Sequence, residues 1–451
     1  MTSVAQRLGQ FVAEYASAEV PELALTHAKM VIASTLASAA VGVHIDSAAA
    51  IRGLALERGG RPEAHIWFTP PTAPALPVEL AARVNAVASD AAASDDSDLR
   101  NIAHIGTIVS ATALATGERI HAPGLDVLAA IVLGYEVAGR IGAAITPGYS
   151  DRGFHGSVIT VFGGATVAAR LLKLPPEGVA RAIALAATSI GGLYAAANTS
   201  VAREYHAGLS AMLGLEAALA AARGFAVDER IMEAPRGFFE TFGANPTDPV
   251  TAALGWEWEI LSHLAIKLVP GAHPYHAAAE ATADAARQLD VAPDEIQSIV
   301  VAARSMGRNL YYHPTDLVGM AHSLPYFLAA AAVDRTFGWE HASPSKILDP
   351  VIDNVQNRVV LDPDAQNSLS VAGSCGARVS ITSTTGRMVT STILAPRGSC
   401  ERGIEWADVD EKYRRLMALS GHESASVERS LSRIHELEGV QDISDLQVLI
   451  R

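Results

Sequence analysis

The 451-residue chain has only two cysteines, Cys375 and Cys400. That is too few for a disulfide framework, a thiolate zinc site or an iron–sulfur cluster. Charge is scarce as well: 18% of residues are Asp, Glu, Lys or Arg, against the usual quarter. Basic residues are the rarer sign, 34 against 48 acidic ones, for a net charge of -14. A polyanion such as nucleic acid needs a basic surface, so it is not an expected partner. A small anion is still admissible, because a local cluster of arginine and histidine can outweigh the average. The chain shows no G-x-S-x-G elbow, no P-loop and no G-x-G-x-x-G, which removes the common hydrolases, NTPases and dinucleotide enzymes. From Met1 to Phe11 there is no apolar h-region and Glu14 follows, so no signal peptide is expected and the cytoplasm is the expected compartment. The longest uncharged run, Ala182–Ala202, is long enough to cross a bilayer. It carries Gly191-Gly192, Asn198 and several hydroxyls, and it reads as a buried helix with a loop. No membrane partner is expected.

What the chain has is alanine. Hydrophobic residues make up 49% but aromatics only 6%, which points to closely packed helices. From about Val4 to Phe242 apolar residues recur at three- and four-residue steps, as at Leu125, Leu128, Ala129, Val132 and Tyr135. Pro21, Pro123, Pro147 and Pro175-Pro176 mark helix boundaries. The spacing predicts helices over Ile108–Ala115, Val158–Leu174 and Leu209–Arg223, the last closed by Gly224. After Trp256 the character changes. Ile296–Val301 is β-rich, and Arg378–Ser383 alternates and turns at Thr385-Gly386 into Met388–Leu394, a predicted hairpin. Pro274–Leu289 reads as a helix before the first strand, and Ser323–Thr336 as the clearest helix between the strands. From Trp406 the pattern is helical and charged again.

Five constellations could carry chemistry. Asp95-Asp96-Ser97-Asp98 with Arg100 and His104 offers acid, base and hydroxyl groups within ten residues. The alternative is an N-cap for the helix that follows. Gly153-Phe154-His155-Gly156-Ser157 sets an imidazole among small residues at a helix N-terminus, where backbone N–H groups suit a carboxylate. Its alternative is a loop histidine capping that helix. In Arg203-Glu204-Tyr205-His206, a guanidinium fork suits a substrate with several acids, or the charges simply open a helix on the surface. His273 and His276 stand at i, i+3 beside two prolines. No third metal ligand follows, so no metal is expected. In His322-Ser323-Leu324-Pro325-Tyr326 the phenol either serves as an acid or packs with one hydrogen bond.

Taken in order, these pieces resemble the MmgE/PrpD family, which includes 2-methylcitrate dehydratase, cis-aconitate decarboxylase and iminodisuccinate epimerase. The resemblance runs through Ala28-Lys29, Ala33-Ser34-Thr35-Leu36, Asn85, Asp95-Asp96-Ser97, Gly134-Tyr135-Glu136-Val137, Gly153-Phe154-His155, His206-Ala207-Gly208, Lys267 to Pro270 and Ser323-Leu324-Pro325-Tyr326. It implies a mainly α fold: a large all-helical domain from residues 1–265 and 398–451, with a smaller inserted α+β lid at 266–397. It also implies a homodimer and a cofactor-independent reaction on a small di- or tricarboxylic acid. The expected reaction is a dehydratase-type lyase step that begins with a proton α to a carboxylate. Decarboxylation or epimerisation of a related acid, or a carboxylate-binding homologue without activity, is the alternative. Carried over residue by residue, the catalytic set is His155, His104, Tyr326 and His273, and the substrate-binding set is Ser97, Asp96, Arg203 and His206. Three positions depart from the family pattern: Arg203 stands where lysine is usual, Asp90 where histidine is usual, and Ala93 where aspartate is usual. Arginine is almost never a general base, so Arg203 is expected to grip a substrate carboxylate.

Overall fold

A computed structural model describes residues 2–189, 191–243, 248–303, 310–362 and 375–450. The chain divides into two units, Met1–Ile266 with Trp406–Arg451, and Lys267–Glu405. The segment from 398 to Glu405 therefore goes with the second unit.

The first unit is built on long helices whose surfaces are apolar nearly all round, a pattern that buries a helix instead of floating it on a surface. Glu22–Gly42, Val78–Ala91, Ile105–Ile120, Gly124–Ile145, Ser157–Leu171 and Ala202–Ala222 supply most of its core. Glu22–Gly42 and Gly124–Ile145 are long and apolar enough to span a bilayer, yet each is mostly buried within this unit. Small residues let helix axes approach closely. A Cβ added at Gly208 would sit 2.5 Å from Val87 and 3.1 Å from the Arg83 carbonyl, so the Ala202–Ala222 helix lies directly on Val78–Ala91. It also packs on Ser157–Leu171. That double contact brings Arg203 and His206 to the end of one helix and the start of the other.

The Ala202–Ala222 helix starts seven residues before the predicted Leu209, because Arg203 and Glu204 are buried instead of surface charges. It ends as the sequence predicts, with Gly224 at φ +79° and its N–H on the Ala221 carbonyl. One expectation needs correcting: this part of the chain is not wholly helical. Strand β1 (Asp96–Asp98) pairs antiparallel with β2 (Leu264–Ile266), Ser97 facing Ala265. Three residues reading Asp-Ser-Asp have no alternation to reveal them, and the pairing comes from a partner far along the chain. The return segment adds Trp406–Leu419, which packs on Glu22–Gly42, and Ser424–His435.

In the second unit, β3 (Ile296–Ala303), β4 (Val359–Leu361), β5 (Ala377–Ser383) and β6 (Met388–Ile393) form a sheet in the order β4-β3-β5-β6. The β3–β4 pair is parallel and the other two pairs are antiparallel. The predicted hairpin is the β5–β6 pair. Ala377, Val379 and Ile381 alternate inward, onto a core shared with the His276–Leu289 and Leu324–Asp334 helices. Ser323 caps the second of these, its hydroxyl accepting from the Tyr326 N–H at 3.2 Å.

Candidate active site

Within the first unit, four segments meet around three imidazoles. His104 precedes the Ile105–Ile120 helix, His155 precedes Ser157–Leu171, and His206 lies in the second turn of Ala202–Ala222. Ring centroids are 6.3 Å apart for His104 and His155, and 5.7 Å for His155 and His206. The two sequence motifs holding His155 and His206 are therefore parts of one site.

His104 is held by carboxylates. Its Nδ1 hydrogen-bonds Asp95 Oδ2 and lies 3.2 Å from Asp90 Oδ1. A ring nitrogen facing two carboxylate oxygens carries the proton, which leaves Nε2 to exchange a proton with a ligand. The Thr107 hydroxyl donates to the same Asp95 oxygen at 3.1 Å and fixes it from the other side. Asp90, the second carboxylate, is 1% exposed near the end of the Val78–Ala91 helix. On its far side Arg203 donates from Nε to Asp90 Oδ2 at 2.7 Å and from Nη2 to the Asp90 carbonyl at 2.7 Å. Burial works against the Arg203 charge, but Asp90, Glu204 and Asp95 together outweigh it and hold the guanidinium firmly protonated.

His155 has the opposite environment. Burial, with His104 next in weight, pulls its pKa down to about 3. Its Nδ1 is buried with no hydrogen-bond partner among the described residues. It is thus a neutral imidazole beside one that is braced to carry charge. His206 is also shifted down by burial, with Asp90 opposing, and its Nδ1 is likewise buried without a partner. The loop at 191–194 lies against the His206 ring and is tied to the His155 segment through the backbone. The His155 N–H donates to the Gly192 carbonyl at 2.9 Å, and Tyr194 N–H to the Gly153 carbonyl at 2.9 Å. Gly192 has φ +85°, and a Cβ there would fall 2.1 Å from Ser157 Oγ and 3.0 Å from His206 Nδ1. Only glycine suits that position.

Other expected roles are revised by the contacts. Asp96 does not present a free carboxylate: its two oxygens accept from the Gly106 and Thr107 N–H groups at 2.8 and 3.0 Å, capping the Ile105–Ile120 helix. Burial, then Asp95, pushes its pKa up to about 6. Ser97 lies in β1 and is 2% exposed. The carboxylate seat expected at the start of Ser157–Leu171 is partly filled, since Val158 and Ile159 give their N–H groups to the His155 and Gly156 carbonyls. Arg203 is no surface charge, but the fork expected to grip substrate already grips Asp90. In the second unit Tyr326 is fully buried and its hydroxyl donates to the His341 carbonyl at 2.7 Å. That is the packing alternative, with its one proton committed. His273 is 1% exposed there and packs on His276 with centroids 4.6 Å apart.

The expected site residues leave out Asp95, the partner of His104, and Asp90 and Glu204, the partners of Arg203. Glu204 is 2% exposed, lies 3.5 Å from Arg203, and is raised to about 7 by burial despite that cation. Asp95 stood nine residues before His104 and was the visible signal. By spacing alone Asp90, Asp95 and His104 could hold a cation, their ligand atoms lying within 4.8 Å of one another. The donor set fits one poorly, because the Arg203 guanidinium already neutralises Asp90 and would repel a second cation.

Residues 6–249 match the MmgE/PrpD N-terminal domain and residues 270–436 the MmgE/PrpD C-terminal domain. The chain is 28% identical over 353 residues to a cis-aconitate decarboxylase-like protein of Aspergillus oryzae, covering 72% of this chain and 71% of that protein. It is 25% identical over 390 residues to the cis-aconitate decarboxylase of Homo sapiens, covering 83% and 80% respectively. A cis-aconitate decarboxylase of Aspergillus terreus is 25% identical over 399 residues, covering 82% and 80%.

Proposed function

The chain belongs to the MmgE/PrpD family, and on that premise we propose that it is a cofactor-independent lyase acting on a small di- or tricarboxylic acid. The observation that carries the proposal is the contrast between two neighbouring imidazoles. His155 is kept neutral by burial, whereas His104 is braced by Asp95 and Asp90. Groups whose environments drive them to opposite protonation states divide the roles of base and acid.

In dehydration, His155, its basicity raised by the negative charge of a substrate carboxylate seated beside it, takes the proton α to a carboxylate. The C–H pair forms the double bond, and His104 Nε2–H protonates the departing hydroxyl, which leaves as water. In decarboxylation, the pair of the broken C–CO₂ bond passes into the neighbouring unsaturation, and the imidazolium of His104 delivers a proton to the carbon that receives it. The names of the relatives favour the second course, loss of CO₂ from an unsaturated tricarboxylate. The acid/base pair serves dehydration equally.

The experiment is to incubate the protein in D₂O with cis-aconitate and with saturated citrate-like hydroxy acids, following products by NMR and gas release. Deuterated product with CO₂ supports decarboxylation, and an unsaturated acid formed from a hydroxy acid supports dehydration. Deuterium exchange alone supports epimerisation. No turnover and no exchange across the panel, in wild type as in His155→Ala, would overturn the enzymatic reading.

A further inference from the structure

Lys412 lies on the Trp406–Leu419 helix and is 2% exposed. An ammonium group has three protons to give, and burying it is costly unless each finds an acceptor. Three acceptors are present: Ser34 Oγ at 2.6 Å, the Ser94 carbonyl, and the Asp95 carbonyl at 3.4 Å. The Ser34 hydroxyl in turn donates to the Asp95 carbonyl at 3.2 Å. So the charge is spent on the backbone of the short turn between Asp90 and Asp95, the two carboxylates that brace His104.

That turn needs external support. Ala93 within it has φ +51°, a left-handed conformation that a Cβ disfavours, and its N–H is tied back to the Asp90 carbonyl at 3.0 Å. Ser38 grips the turn from the same side as Ser34, bonding the Ser89 carbonyl at 2.5 Å and Ser94 Oγ at 2.8 Å. A hydrophobic side chain at 412 would fill the space. Only a multiple donor holds both carbonyls.

We propose that Lys412 is a positioning residue of the proton-transfer site. It fixes the Ser94–Asp95 backbone so that the Asp95 carboxylate meets His104 Nδ1, and the far end of the chain thereby sets the geometry of a histidine more than three hundred positions earlier. The proposal rests on the reading of His104 and Asp95 as proton-transfer machinery, and its test separates the two.

The test substitutes Lys412→Met, which keeps the stem and removes the ammonium. The ring ¹⁵N chemical shifts of His104 are read in histidine-labelled protein, assigned by their loss in His104→Gln. The expected result is displaced His104 ring shifts with a retained near-UV circular dichroism spectrum, and a kcat lower by about 10- to 100-fold with KM little changed, as for a misplaced catalytic group. Unchanged His104 shifts in a folded Lys412→Met protein would overturn the proposal. Displaced shifts with unchanged kcat would keep Lys412 as the anchor of Asp95 and remove His104 from the chemistry, so the proposed function would fail instead. Should Lys412→Met not fold, Ser34→Ala carries the same test, because its hydroxyl joins Lys412 to the Asp95 carbonyl. Unchanged His104 shifts in that variant would overturn the proposal too.

Discussion

Arg203 and Asp90 hold each other from two helices, through the Asp90 carboxylate and its backbone carbonyl at 2.7 Å each. Two of the three positions where the sequence departs from the family pattern are therefore a single contact. A carboxylate at position 90 gives the guanidinium at 203 its partner, and the same carboxylate reaches His104 with its other oxygen. The pair joins the Val78–Ala91 and Ala202–Ala222 helices while it sets the charge around the imidazoles.

Removing one partner leaves the other charge buried. Arg203→Met is expected to destabilise the protein by roughly 3–5 kcal/mol, the usual effect of breaking a buried ion pair on one side. The double variant Asp90→Leu with Arg203→Met should cost clearly less than the two single changes added together. Urea denaturation of the four proteins measures this, and strict additivity would show that the contact contributes nothing.

Among the described residues His155 Nδ1 has no hydrogen-bond partner, so its replacement should leave the fold largely intact and strike the reaction. His155→Gln is expected to lower kcat by about 100-fold or more, with a smaller change in KM, as for a general acid or base. An enzyme with full kcat in this variant would assign the base elsewhere.

Gly192 is the test of the loop against the His206 ring. Gly192→Ala forces a Cβ into Ser157 Oγ and His206 Nδ1 at a backbone angle that side chains avoid. The loop must move, at a cost of roughly 1–3 kcal/mol, and the His155 N–H loses its grip on the Gly192 carbonyl. Steady-state kinetics should show kcat/KM reduced by about 10-fold or more. Wild-type kinetics with an unchanged melting temperature would mean that the loop takes no part in the site.

Much of this arrangement was legible in the chain. Alanine and glycine among helical periods foretold close-packed helices, and imidazoles among small residues marked His155 and His206, whose rings the fold brings to 5.7 Å. Less was legible of what the charged residues do. Whether Arg203 meets substrate or Asp90 depends on two helices 113 positions apart coming together over Gly208, which no local pattern encodes. Asp96 looked as available as Asp95, yet the Ile105–Ile120 helix end turns one into a cap and leaves the other facing His104. Lys412 was invisible because its partners lie at the other end of the chain, and β1 because three polar residues carry no period.

Asp98 provides the pH test. It is completely buried, one oxygen accepts from the Asn101 N–H at 2.8 Å, and the other has no partner among the described residues. Burial raises its pKa to about 7, against Arg100, which pulls it down. Because the folded value lies above the unfolded value of 3.8, the folded state binds the proton more tightly. The resulting stability is fully present below the unfolded value and is lost as pH rises from there through about 7. Asp96, Glu204 and Glu259 are raised in the same sense, to about 6, 7 and 7. His155, lowered to about 3, acts oppositely, adding stability as pH rises from there toward 6.5. The Asp98→Asn variant is permanently neutral, so the difference between its stability and that of wild type should grow in its favour by an order of a few kcal/mol between pH 4 and pH 8. Urea denaturation of both proteins across that range measures the difference, and parallel pH profiles would show that Asp98 titrates in the folded protein as it does in the unfolded chain.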